Sequence, residues 1–80
     1  MTDRIYKRYF QSREIIMRAQ MLDAELYKRP LHFVISPSYD HVPVSGLLEF
    51  FHRWKKVLGP QYTVYMDGDD FHLVYKTNGS

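Results

Sequence analysis

Eighty residues allow one domain that buries roughly 60% of its unfolded surface, so a single core has to carry the fold. The absence of cysteine excludes a disulfide framework and a thiolate metal site, and it fits a reducing, cytoplasmic setting. A formal charge of +2 with a pI near 9.0 is too weakly basic to single out nucleic acid as the partner, and no apolar run reaches the roughly 18 to 20 residues of a membrane span.

From Asp3 to Arg29 the pattern is helical, and Pro30 ends it by disfavouring helical geometry at the residue before it. Ile15, Ala19, Leu22 and Leu26 form one apolar stripe, with Ile5, Tyr9, Ile16 and Tyr27 beside it, and this side is expected to dock on the rest of the domain. A second stripe runs through Tyr6, Phe10, Met17, Met21 and Ala24. Both stripes cannot fit against one small core. Either the helix breaks near Gln11-Ser12, with Ser12 capping a second piece, or it is continuous and turns its Met17/Met21 side toward another chain.

Leu31 to Ile35 is a short strand bounded by Pro30 and Ser36-Pro37, with Leu31, Phe33 and Ile35 facing the helices and His32 and Val34 facing away. Ser36 to Pro43 reads as an irregular loop whose tip, Tyr39-Asp40-His41, is accessible.

Val44 to Leu58 has the clearest periodicity, because Leu47, Phe51, Trp54 and Leu58 recur at i, i+4, i+7 and i+11 and share one side of a helix. Ser45 is placed to cap its start, and Gly59-Pro60 stops it. Tyr62 to Met66 and Phe71 to Lys76 then form a hairpin. A Gly68-Asp69 turn pairs Met66 with Phe71, Val64 with Leu73 and Tyr62 with Tyr75 on one side, and leaves Thr63, Tyr65, His72 and Val74 on the other.

The expected fold is therefore α+β in the order α-β-α-β-β. It is a three-stranded antiparallel sheet with the last strand in the middle and both helices on one face. Residues 1–80 make one domain, with Thr77-Asn78-Gly79-Ser80 as a turn-like flexible tail.

No stretch announces a chemistry. Asp40-His41 offers a base and an orienter, but adjacent loop residues seldom face each other and no activated Ser or Cys accompanies them. His32 and His72 are expected as neighbours on the open side of the sheet, two imidazoles without a third metal ligand. Asp67-Gly68-Asp69-Asp70 lacks the spacing and closing Glu of a calcium loop. The expectation is a protein that is not an enzyme and has no cofactor and no metal.

Seven Tyr, five Phe and one Trp, with four Met, exceed what so small a core absorbs, and surplus rings on a small domain point to a contact surface. The leading expectation is a small binding protein that occupies a surface of another protein, as an inhibitor or regulator, or that pairs with itself. Its expected contact residues are Tyr6, Phe10, Met17 and Met21, then Tyr39 and His41, then Tyr65 and His72. In size and style the chain is similar to the small cysteine-free inhibitors that phages and plasmids make against host enzymes and defence systems, although no motif carries that likeness. The alternative is an RNA- or DNA-binding module in which Arg4, Lys7, Arg8, Arg53 and Lys56 grip phosphates and the open sheet face stacks on bases. Interleaved acids at Asp3, Glu14, Asp23 and Glu25 dilute that second expectation.

Overall fold

The computed structural model describes residues 2–76, with side chains from residue 6 onward, so the expected tail at 77–80 lies outside the described residues. The elements are α1 (Thr2–Tyr27), β1 (Leu31–Ile35), a short α2 (Pro37–Asp40), α3 (Val44–Val57), β2 (Tyr62–Asp67) and β3 (Asp70–Tyr75). The fold is the α+β arrangement expected, with strand order β1-β3-β2 and both pairings antiparallel.

The first helix does not break at Gln11-Ser12. It runs 26 residues without interruption, because neither Gly nor Pro occurs before Pro30. It ends on a left-handed Lys28 (φ 57°), which lets the Arg29 N–H reach back to the Ala24 carbonyl at 2.9 Å and satisfy an open helix end. A non-glycine residue pays a steric penalty in that conformation. At about 39 Å, the helix is far longer than strands of five or six residues, and it accounts for most of the 45 Å long axis.

The segment after β1 is more ordered than an irregular loop. Pro37 presets helical φ at the first position of α2, and a left-handed His41 (φ 57°) closes it. The core helix starts two residues earlier than a Ser45 cap would place it, with Pro43 at the cap position and no side-chain cap bond. The hairpin register is the expected one, Tyr62 with Tyr75, Val64 with Leu73 and Met66 with Phe71. Gly68 supplies the positive φ (62°) at the first turn position.

The core lies between the helices and one face of the sheet. Met17 from α1 and Leu47, Phe50 and Trp54 from α3 close over Phe33, Ile35, Tyr62, Phe71 and Leu73. Within α3 the buried centre is Leu47, Phe50 and Trp54, while Phe51 and Leu58 are half-buried beside it. Phe50 makes an edge-on contact with Phe71 at 5.2 Å and a tilted one with Trp54 at 6.1 Å, so one ring joins helix to sheet.

The largest departure from expectation is which side of α1 meets this core. Met17 is 0% exposed and Ala24 is buried, whereas Ile15 and Leu22 are each 69% exposed and Leu26 is 72% exposed. The Met17 stripe is therefore the inner one, and the stripe expected to dock faces solvent. Small Ala24 lets the helix approach closely, and flexible Met17 and Met21 fill irregular space against the sheet and α3.

Candidate interaction surface

Four polar contacts hold the rotation of α1. On one flank the Tyr9 hydroxyl donates to Asp40 Oδ2 at 2.6 Å, and the Arg13 guanidinium stands 3.7 Å from the same oxygen, which ties the helix to α2. On the other flank Glu14 takes the Arg53 guanidinium of α3, and the Tyr62 hydroxyl donates to Glu25. Arg18 and Arg53 also lie against the Trp54 ring at 5.2 and 5.3 Å. Burial first, then the bond to Glu25, raises the Tyr62 phenol above its usual range. Burial and the bond to Asp40 raise Tyr9 in the same way.

With that rotation fixed, the residues at +100° per step from Met17 place Ile15, Ala19, Leu22 and Leu26 on the opposite side of the helix. All four are exposed, and exposed Ile16 and Tyr27 widen the patch. Four aliphatic or methyl-bearing side chains in line on one helix form a contiguous apolar ridge, which a single exposed Leu does not. Sequence reasoning assigned this ridge to the core. Its 4-3-4 spacing, 15 to 19 to 22 to 26, suits a core-facing stripe and a helix-pairing seam alike.

The expected contact residues divide among separate places. Met17 is not available to any partner: it is fully buried, which corrects its assignment as a contact residue. Met21 is half-buried and packed on the core. Tyr6 and Phe10 come together with Lys7 and Arg53 in a groove of about 600 Å³ between the N-terminal half of α1 and α3. Phe10 forms part of that groove's lining because Gly46 leaves room for it; a Cβ at Gly46 would come 2.7 Å from the ring. Tyr39 is 84% exposed on α2, and His41 beside it serves the backbone turn. The Asp40 carboxylate is committed to Tyr9 and Arg13, so it does not orient His41 as a base.

The open face of the sheet carries a row of rings across all three strands. His72 Nδ1 is 2.8 Å from His32 Nε2, and the Tyr65 ring stacks on His72 at 4.8 Å with planes 1° apart. The two histidines meet as expected, but among the described residues no group of three or more His, Cys, Asp or Glu side chains could hold a metal ion. Of the expected phosphate-gripping residues, the Arg4 side chain lies outside the described residues, Lys7 and Arg8 are exposed on α1, and Arg53 and Lys56 are exposed on α3. They sit on the helical layer, away from the ring row. No helix among the described residues is long and apolar enough to cross a membrane.

No family model, curated protein or solved structure matches the chain. Any functional reading therefore rests on these surfaces.

Proposed function

We propose that this chain is a non-enzymatic binding protein that works by protein–protein contact, with the outer ridge of α1 as its contact surface. In that role it would act as a regulator or inhibitor in a reducing, cytoplasmic setting. The observation that carries the reading is the two-sided helix: one apolar side is spent on the core, and Ile15, Leu22 and Leu26 on the other stay mostly exposed. A ridge of this kind suits a helix-in-groove or helix-on-helix contact, in which residues at i, i+4, i+7 and i+11 supply the anchors.

The test is affinity capture from native host extract, with wild type and Leu22→Asp/Leu26→Asp as parallel baits and both protein and nucleic acid detected. A protein held by wild type and released by the variant is the expected result. Capture that is unchanged in the variant would move the binding surface elsewhere.

A second reading, nucleic-acid binding, draws on the stacked Tyr65 and His72 rings of the open sheet face. It is weakened because the basic residues of α1 and α3 lie on the opposite layer, so phosphate and base contacts would not share one surface. Nucleic-acid binding whose affinity falls steeply with added salt would revive it.

A further inference from the structure

We infer that the occupant of the α1 ridge is a second copy of this chain, packed antiparallel along the same ridge; this rests on the protein-contact reading above. The ridge is complementary to itself when reversed. Laying one helix antiparallel on another places Ala19 opposite Leu22 of the second copy and Ile15 opposite Leu26 of the second copy, so each large side chain meets a smaller or matching one. The same alignment sets Arg18 beside Glu25 of the second copy, twice by symmetry. At both ends Ser12 falls opposite Arg29 of the second copy, which closes the apolar stretch with polar groups.

Both charged residues keep room for a further contact. The Arg18 side chain is 63% exposed; it lies against the Trp54 ring at 5.2 Å and makes a loose 3.6 Å contact to Glu14, neither of which uses up its five N–H donors. Glu25 is exposed and receives the Tyr62 hydroxyl on one oxygen, leaving the other to accept.

The parallel alternative is poorer on the same grounds. It would stack Ala19 on Ala19 of the second copy, leaving a gap, and would oppose the two Arg29 side chains. An antiparallel pair also sets the two helix dipoles head to tail. The apolar contact, residues 15 to 26, is about 16 Å long, which belongs to the small end of specific interfaces. Dimerisation is accordingly expected to be weak and concentration-dependent. In such a pair the two sheets face outward, and the ring row of each open face stays accessible.

Two measurements test this. Sedimentation of wild type from low micromolar to millimolar concentration should show monomer passing to dimer. Leu22→Asp and, separately, Leu26→Gln should stay monomeric over that range with unchanged circular dichroism, since both positions are exposed. Because the chain has no cysteine, Ile15→Cys and Leu26→Cys give clean cross-linking probes. Mixed under mild oxidation they should form a disulfide dimer containing one of each. Neither should cross-link to itself, because identical positions are offset by about 16 Å along the pair and a disulfide spans less than about 7 Å between Cα atoms. Wild type that is monomeric at every concentration, or self-linked dimers of either variant, would overturn the proposal. If wild type is monomeric yet captures a host protein that Leu22→Asp/Leu26→Asp releases, the second copy is wrong and the protein-contact reading stands. If it is monomeric and captures nothing, both fail.

Discussion

The two long helices use similar residues to opposite ends. In α3 the apolar residues gather on one side, so Leu47, Phe50 and Trp54 go in while Glu49, His52, Arg53 and Lys56 stay in water. In α1 they gather on two sides set back to back, and only one of them can meet a three-stranded sheet. Amphipathicity orients a helix when there is a single apolar stripe. With two, the choice passes to whatever else the helix touches. For α1 these are Ala24 and Met17, which fit the space over the sheet, and the flanking Tyr9, Glu14 and Glu25, whose partners on α2, α3 and β2 exist only in one rotation.

The sharpest test sets the two sides of α1 against each other. Met17→Asp puts an unpaired carboxylate and a void into the core, a loss expected to exceed about 4 kcal/mol. That is comparable with the whole stability of a chain of 80 residues, on the order of 4 to 12 kcal/mol, so the variant should be largely unfolded by circular dichroism. Leu22→Asp, on the outer side, should melt within a few degrees of wild type. A larger loss in Leu22→Asp than in Met17→Asp would mean that the sides had been assigned the wrong way round, and equal losses would mean that α1 has no inner side.

A smaller effect is expected at the polar contacts that fix the rotation. Tyr62→Phe removes the donor to Glu25 and should cost about 1 to 2 kcal/mol in chemical denaturation. It should also change the alkaline limb of stability. The folded-state pKa of Tyr62 lies above its ordinary 10.0, so its contribution is complete below that pH and is lost as pH rises toward the folded value, because the unfolded chain gives up the proton first. Wild type should therefore lose stability above pH 10, and Tyr62→Phe should lose less, with the Tyr9 contribution remaining. An identical pH dependence in the two proteins would mean that neither burial nor the Glu25 contact holds the Tyr62 proton in the folded state.

The smallest effect is at the helix end, where Lys28→Gly relieves left-handed strain of about 1 kcal/mol and gives back part of it as extra freedom in the unfolded chain. A net gain of about 0.5 kcal/mol, read as a slightly higher melting temperature, is expected. α3 ends on an extended Leu58 with φ −79°, so no left-handed strain exists there to relieve.

Much of the fold is legible in the order of the residues alone. Alternation in Leu31–Ile35 and the Gly68 turn between two matched strands specify register, since a slip of one residue would turn Phe71 and Leu73 to solvent. The meeting of His32 and His72 followed from the same alternation. The apolar surplus was legible only as an amount, in that there was more apolar side chain than one core could hold. Which stripe stays outside was not legible, because Met17 and Leu22 are both apolar and the periodicity is the same for both stripes.

The sequence by itself determined the elements, the strand register and the existence of an apolar surplus, because these depend on neighbours along the chain: spacing, turn residues and breakers. Only the tertiary structure decided which side of α1 is inside. Rotating a helix about its axis changes no local interaction, and the difference lies in contacts such as Tyr9 with Asp40 and Tyr62 with Glu25, whose members are more than thirty residues apart.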